Sequence, residues 1–132
     1  MVCANGELRL AGSTTAGQGR VEICINETWG TICDDSWGTP DASVACASLG
    51  FSRFSKQPLC FICSTGTSNF IMQTGAQAVS AAFFGQGTGP ILLDDLGCFG
   101  NESSLLDCTA VTQHNCAHNE DAGVRCITTG IL

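Results

Sequence analysis

The sequence predicts an α+β domain held together by disulfide bonds, and three observations lead to this prediction. Short segments in the first third of the chain alternate polar and apolar residues, as half-buried strands do. A segment with helix-capping signals follows at residues 39–49. The chain has 10 cysteines among 132 residues, a density typical of small extracellular domains stapled by disulfides. At this length we expect one domain, residues 1–132.

Three strands are expected near the amino terminus. Residues 8–10 and 20–24 alternate in character and are separated by a loop rich in glycine, serine and threonine, so we expect two strands of an antiparallel sheet. Residues 28–33 continue the pattern after a turn at Asn26-Glu27.

Two helices are expected. Thr39 is a suitable cap, Pro40 suits the first helical position, and Asp41 places an acid at the positive end of the helix. This helix should end at Gly50, a common residue at a left-handed carboxyl-terminal cap. A shorter helix is predicted over residues 101–107, with Asn101 as its cap.

The composition of the chain restricts the classes of partner that it is expected to bind. Five basic residues face twelve acidic ones, giving a net charge of −7, which argues against nucleic-acid binding and favours divalent cations. The start of the chain lacks the charged and apolar segments of a signal peptide, so we expect one domain of a larger secreted or membrane protein. Residues 70–93 are apolar but contain glutamines, glycines and a proline, so direct membrane insertion is not expected.

Six cysteines lie within recognisable local motifs. The motifs are Trp29-Gly-Thr-Ile-Cys33-Asp-Asp, Val44-Ala-Cys46-Ala-Ser-Leu-Gly50, Phe84-Gly-Gln-Gly-Thr-Gly-Pro90-Ile-Leu-Leu-Asp-Asp95, His114-Asn-Cys116 and Glu120-Asp-Ala-Gly-Val-Arg-Cys126, with Cys98 and Cys108 between them. Together they resemble a scavenger receptor cysteine-rich domain over residues 6–126. This is the extracellular binding module of macrophage scavenger receptors and of many secreted innate-defence proteins. The resemblance implies a curved antiparallel six-stranded sheet that cradles the main helix.

The resemblance also implies three disulfides, namely Cys33–Cys116, Cys46–Cys126 and Cys98–Cys108. Related domains with one more bridge place a cysteine where this chain has Phe51, so that bridge is not expected here. Four cysteines remain. Cys3 and Cys24 flank the first predicted hairpin and are expected to pair, which leaves Cys60 with Cys63. The last two lie in an extended loop, about residues 52–83, that is longer than in a typical member of the family.

A cation site is expected beside the Cys33–Cys116 bridge. That bridge would bring the Asp34-Asp35 pair close to Asn115 and Glu120, and Ca²⁺ prefers such oxygen ligands. The alternative is a solvated acidic patch or a set of turn caps. The resemblance implies one cation site at Asp34, Asp35 and Glu120. It implies a second site at Asp94 and Asp95 with Asn115. Ca²⁺ is the expected ion, with Mg²⁺ as an alternative.

Catalytic interpretations are weaker. Cys60-Phe-Ile-Cys63 has the spacing of a redox pair, but it lies in a loop rather than at the start of a helix, so a structural staple is expected. His114 and His118 flank Cys116 and lack the glutamate of a zinc-protease motif. We therefore expect a domain that is not an enzyme, although thiol–disulfide exchange remains a third hypothesis.

Two further surface features are predicted. Arg53 and Lys56 occupy the stretch where some relatives carry an arginine cluster for polyanions, but two residues make a weak cluster. Asn26 and Asn101 begin N-glycosylation sequons, Asn26-Glu-Thr28 and Asn101-Glu-Ser103.

The sequence as a whole predicts an extracellular recognition module. It would bind polyanionic, microbial or modified host macromolecules, including glycans, through a Ca²⁺-assisted acidic surface. The alternative is a cell-adhesion or peptide-receptor ectodomain that recognises one specific protein partner.

Overall fold

The computed structural model describes residues 3–51 and 76–126, and within them the predicted α+β class is confirmed. The strands are β1 (Leu8–Ala11), β2 (Gln18–Ile25), β3 (Thr28–Ile32), β4 (Ala76–Val79), β5 (Ile91–Gly97), β6 (Thr109–Val111) and β7 (Gly123–Cys126). One α-helix, α1, spans Thr39–Ser48. Two short 3₁₀ helices lie at Leu105–Asp107 and His118–Glu120.

The sheet is mixed rather than purely antiparallel. Its order is β4-β7-β2-β3-β5-β6, and β1 pairs with β2 outside this path. All strand pairs are antiparallel except β3 with β5, which run in the same direction. The described residues thus form seven strands where six antiparallel ones were expected. β3 and β5 can run in the same direction because the connection between them is long and includes α1, as a parallel pair requires.

The close approach of β3 to β5 explains why residue 30 of β3 is a glycine. A Cβ atom placed on Gly30 of β3 would lie 2.5 Å from the carbonyl oxygen of Pro90 and 2.6 Å from the side chain of Leu92. The absence of a side chain at Gly30 therefore lets β3 approach β5 and the residue before it. The motif Trp29-Gly30-Thr31 is thus tied to the strand pairing that positions the site described below.

The core lies between the sheet and α1. Val21 and Ile23 of β2 point to this side, and both are fully buried. The helix contributes small buried residues, Val44 and Ala45, and packs mainly against β4 and β7. Trp37, which precedes the helix, is buried and its Nε1 donates a hydrogen bond of 2.8 Å to the carbonyl oxygen of Gly123.

The start of α1 differs from the prediction. The cap is Gly38, and Thr39 is already the first helical residue. The reason is that Asp41 reaches back from the first turn, where its Oδ2 accepts the Gly38 N–H at 2.8 Å. Its Oδ1 accepts the Cys98 N–H at 2.9 Å, so one buried carboxylate joins the helix start to the segment after β5. The end of the helix agrees with the prediction, because Gly50 has a φ of +96°.

The second predicted helix is shorter than expected, and Asn101 is not its cap. Only Leu105–Asp107 is helical, as one 3₁₀ turn. Its cap is Ser104, whose Oγ accepts the Leu106 N–H at 3.1 Å. No helix in the described part of the chain is long and apolar enough to cross a membrane.

The extended loop was predicted too far towards the carboxyl terminus. Residues 76–79 form β4 and pair with β7, so a strand lies inside the stretch 52–83. The alternation Ala-Gln-Ala-Val fits a strand at this edge. Residues 52–75 lie outside the described residues, and with them Arg53, Lys56 and the expected Cys60–Cys63 bridge.

Four disulfides are present in the described residues, and they agree with the expected pairings. They are Cys3–Cys24, Cys33–Cys116, Cys46–Cys126 and Cys98–Cys108. Two of them join residues 83 and 80 positions apart and therefore close most of the chain into loops. Disulfides of this kind persist in oxidising compartments, which places the domain outside the cytosol.

Candidate functional site

The parallel pairing of β3 and β5 brings acidic residues to one edge of the sheet. The N–H of Cys33, just after β3, donates to the carbonyl oxygen of Leu93 in β5 at 2.9 Å. Asp35 lies two residues beyond Cys33, and Asp94 follows Leu93 directly. Because the two strands point the same way, both carboxylates reach the same place.

The Cys33–Cys116 disulfide adds a third carboxylate from a distant part of the chain. Its two α-carbons lie 6.2 Å apart. Glu120 Oε1 lies 3.8 Å from the sulfur of Cys33, and Asp35 Oδ2 lies 3.7 Å from the sulfur of Cys116. The two side chains therefore lie against the same bridge, one at each sulfur.

The side chains of Asp35, Asp94 and Glu120 are called the acidic cluster below. A carboxylate oxygen of Asp35, one of Asp94 and the two bridge sulfurs all lie within 4.8 Å of one another. Asp94 is buried, with 3% of its surface exposed. Partial burial raises the pKa of Asp35, and the negative charges of Asp94 and Glu120 raise it further. Like charges are therefore crowded at this point.

The other predicted ligands have partners of their own or lie further out. Asp34 Oδ2 accepts the Ala81 N–H at 2.7 Å, and the Asp34 N–H donates to the carbonyl oxygen of Glu120 at 2.8 Å. These bonds make Asp34 a residue that holds the two loops together. Asn115 is exposed, and its amide oxygen lies 4.0 Å from the sulfur of Cys116.

Asp95 is held by a residue that sequence reasoning missed. Its Oδ1 accepts a hydrogen bond of 3.1 Å from the hydroxyl of Ser36. Both residues have a positive φ, 65° for Ser36 and 51° for Asp95. A serine directly after an acidic pair carries no recognisable signal, because the contact depends on the non-local pairing of β3 with β5.

The donor atoms suit a hard cation. The sulfurs of Cys33 and Cys116 are bonded to each other, so they do not offer the thiolates that zinc prefers. The remaining donors are carboxylate oxygens, the ligand type of Ca²⁺ and Mg²⁺. If an ion binds here, Asp35, Asp94 and Glu120 would hold it, and it would supply a positive charge for a ligand's anionic or hydroxyl oxygens.

A second buried acid, Asp121, holds residues 87–89, which lie just before β5. Its Oδ2 accepts the Gly87 N–H at 2.7 Å and lies 2.9 Å from Nδ1 of His118. His118 Nε2 lies 2.9 Å from the carbonyl oxygen of Gly89 and can donate to it. Burial opposes the charged imidazole, but the hydrogen bonds to Asp121 and Gly89 prevail and raise the pKa of His118. Sequence reasoning gave Asp121 no role, since nothing local marks it as buried.

A second group of charged residues lies on β1 and β2. Glu22 of β2 accepts from Arg9 Nε at 2.7 Å and from Arg20 Nε at 2.9 Å. The Arg9 guanidinium also lies 4.1 Å from the centre of the Trp29 ring. We call Arg9, Arg20 and Glu22 the arginine face. Trp29 thus contacts Arg9 on the sheet, whereas Trp37 lies in the core.

The chain is similar to known proteins over nearly its whole length. The sequence profile described as "Scavenger receptor cysteine-rich domain" matches residues 11–127. A "Scavenger receptor cysteine-rich domain superfamily protein" of Patiria pectinifera is 42% identical over 125 residues, covering 93% of this chain and 9% of that protein. A "Galectin-3-binding protein" of Pongo abelii is 41% identical, covering 92% of this chain and 18% of that protein. The chain thus spans less than a fifth of the length of either relative.

A solved structure agrees with the sequence comparison. The third SRCR domain of murine neurotrypsin has a TM-score of 0.70 to this chain and 40% sequence identity, covering 92% of this chain and 96% of that domain. The fold, the four disulfides and the matched residues lead to one conclusion. The chain belongs to the scavenger receptor cysteine-rich domain family.

Proposed function

We propose that this domain recognises extracellular ligands through a cation held by its acidic cluster, with Ca²⁺ as the ion. The observation that carries the proposal is the convergence of Asp35, Asp94 and Glu120 on the Cys33–Cys116 bridge. Three carboxylates from three separate segments repel one another unless a cation joins them. A bound ion with open coordination positions would then accept sulfate, phosphate, carboxylate or sugar oxygens from the ligand.

The rigidity of the surroundings supports a binding role. Asp34 links the cluster to the turn at Ala81 and to the backbone of Glu120, and a disulfide crosses its centre. Protein side chains that are held in place before an ion binds lose little conformational freedom when it binds. The cluster is therefore prepared for an ion rather than assembled by it.

The arginines support a cation-mediated mode over direct binding of polyanions. Arg9 and Arg20 are paired with Glu22, and Arg125 lies over the Phe83 ring at 4.7 Å. Every arginine in the described ranges 3–51 and 76–126 is thus engaged within the domain. Polyanionic, microbial or modified host macromolecules are the ligands that we propose. The chain would be one domain of a larger secreted protein or membrane-protein ectodomain.

The test is a calcium titration of the purified domain, by calorimetry and by thermal unfolding. We expect a dissociation constant of about 10⁻⁴ to 10⁻³ M, typical of extracellular modules. At about ten times that constant, calcium should add roughly 1.4 kcal/mol to the free energy of unfolding, because only the folded state assembles the site. Asp35→Asn, Asp94→Asn and Glu120→Ala should each abolish the response.

The matched control is Asp107→Asn, which removes the same charge from an exposed residue of the 3₁₀ helix Leu105–Asp107. It should titrate like the wild type. A ligand array probed with calcium and with chelator then identifies the ligand class. Binding to a single protein irrespective of calcium would favour the alternative function, that of an adhesion or receptor ectodomain. A wild type that gives neither heat nor a melting shift at millimolar calcium would refute the proposal.

A further inference from the structure

The loop closed by the Cys98–Cys108 disulfide displays an aromatic ring beside a glycosylation sequon. Phe99 has 89% of its surface exposed, more than any other large apolar residue in the described segments. Two residues later comes Asn101, which is also exposed and begins the sequon Asn101-Glu102-Ser103. Exposed phenylalanine is costly in water, because its apolar surface remains hydrated.

The turn that carries these residues is held by Glu102, the middle residue of the sequon. Glu102 Oε2 accepts the Phe99 N–H at 2.9 Å, and Glu102 Oε1 accepts the Gly100 N–H at 3.0 Å. Gly100 has a φ of +113°, a conformation that glycine adopts readily. The chain therefore folds back between Phe99 and Glu102.

The turn is also anchored to the rest of the domain. The Cys98 N–H donates to the buried carboxylate of Asp41 at the start of α1. The disulfide fixes Cys98 to Cys108, with α-carbons 4.8 Å apart. Phe99 is thus exposed on a turn whose backbone is held in place.

A comparison with the other exposed phenylalanine shows what is unusual here. Phe83 is 61% exposed, but its ring meets Phe84 edge to face at 5.0 Å and lies under Arg125 at 4.7 Å. Within residues 3–51 and 76–126, no ring stacking or cation contact involves Phe99. The flat face of its ring is therefore available.

We propose that Asn101 carries an N-linked glycan and that the Phe99 ring is a stacking platform for its first sugar. The predicted role of Asn101 as a helix cap, which would have occupied its side chain, belongs instead to Ser104. The α-carbons of residues 99 and 101 are at most about 7 Å apart, so a sugar on Asn101 reaches the ring. The C–H-bearing face of a pyranose is apolar and packs on the electron-rich face of an aromatic ring.

The attachment itself is the standard chemistry of secreted proteins. The side-chain nitrogen of Asn101 forms a bond to the anomeric carbon of a lipid-diphosphate-linked oligosaccharide. The bond from that carbon to the diphosphate oxygen breaks, the amide gives up one proton, and the lipid diphosphate leaves. No electrons are transferred to or from an external oxidant or reductant. The disulfides of the domain are consistent with passage through the compartment where this occurs.

The experiment uses the chain secreted from eukaryotic cells and trimmed by an endoglycosidase to one sugar at each occupied site. Mass spectrometry of peptides should find Asn101 modified. The melting temperature should exceed that of Asn101→Gln by roughly 3 °C, the size expected for one aromatic contact in a domain of this length. In the Phe99→Ala and Phe99→Leu backgrounds this difference should disappear, because neither alanine nor leucine has a ring. Proton NMR should show ring-current shifts of the first sugar that are lost in Phe99→Leu.

The other sequon supplies the matched control. Asn26 lies in the exposed turn between β2 and β3, and the residue two positions before it is Cys24, which is buried in a disulfide. The effect of Asn26→Gln on the melting temperature should be the same in the wild type and in the Phe99→Leu background. An unmodified Asn101 would overturn the proposal. So would a stabilisation by the Asn101 sugar that persists in Phe99→Leu.

Discussion

The acidic cluster and the arginine face differ in how their charged side chains are arranged. On the arginine face, Glu22 lies between Arg9 and Arg20 and is ion-paired with both. In the acidic cluster, three carboxylates meet, and none of the ion pairs in the described segments involves them. One region pairs its charges, whereas the other gathers like charges around a disulfide. Removing one partner of a buried ion pair is destabilising, because it leaves the other charge unpaired, whereas crowding of like charge is typical of functional sites.

The two regions also differ in what holds their charged residues in place. The side chains of Glu22 and Arg20 are 10% and 15% exposed, so each needs its counter-charge within the protein. The backbone beneath the acidic cluster is fixed by hydrogen bonds and by the Cys33–Cys116 bridge. The backbone around the cluster is thus held by covalent and hydrogen bonds, and no ion pair in the described segments gives its carboxylates a counter-charge. The predictions below test this division of roles.

The largest effect is expected from the bridge under the cluster. Replacing Cys33 and Cys116 together by alanine opens a loop of 83 residues and should cost about 4.5 kcal/mol on the loop-entropy model. Replacing Cys98 and Cys108 opens a loop of 10 residues and should cost about 3 kcal/mol. Denaturant unfolding measures both losses. Only the first variant should also lose its response to calcium.

This pair of variants separates stability from site geometry. If both variants retain the same calcium response, the bridge does not position the cluster. If both lose it, the response depends on general stability rather than on the bridge. Titration is done at a temperature where each variant is folded, so that the comparison concerns the native state.

The next largest effect is expected on the arginine face. Glu22→Gln removes the counter-charge of Arg20, which is largely buried, and should cost roughly 2 kcal/mol. Glu120→Gln in the acidic cluster removes a like charge and keeps an oxygen that can accept the Ala117 N–H. Without calcium it should leave the free energy of unfolding unchanged or slightly higher. Equal destabilisation by the two changes would contradict the proposed division of roles.

Local signals predicted local structure. The first three strands were expected because alternation of polar and apolar residues is visible within each segment. The start of α1 was misplaced by one residue because its cap comes from Asp41, inside the first turn, rather than from the residue before it. The strand β4 was missed because four residues carry little periodic signal.

Non-local contacts limited what could be foreseen at the site. The sequence suggested two cation sites, with Asp35 in one and Asp94 in the other. The structure brings these two residues together, because the parallel pairing of β3 and β5 aligns Cys33 with Leu93. That pairing joins segments about sixty residues apart and has no local signature. The role of Asp121 was missed for the same reason, since its partners include Gly87, 34 residues away.

The smallest effect is expected from His118, which links Asp121 to Gly89 in the segment before β5. Partial burial opposes its charged form, but Asp121 and the Gly89 carbonyl raise its folded pKa above the usual value of 6.5. Folding therefore favours the protonated imidazole. This contribution is fully present below the unfolded pKa and is lost as the pH rises through the folded pKa. In calcium-free buffer, the free energy of unfolding should fall as the pH is raised from about 6 to about 8.

Two variants identify the source of that slope. His118→Gln should remove it, because glutamine keeps hydrogen-bonding capacity but does not titrate. His114→Gln is the control, since His114 is exposed and accepts only the Cys116 N–H, at 3.0 Å, among the described residues. It should keep the slope of the wild type. A slope that survives in His118→Gln would mean that the ion pair of His118 with Asp121 is not what couples proton binding to folding.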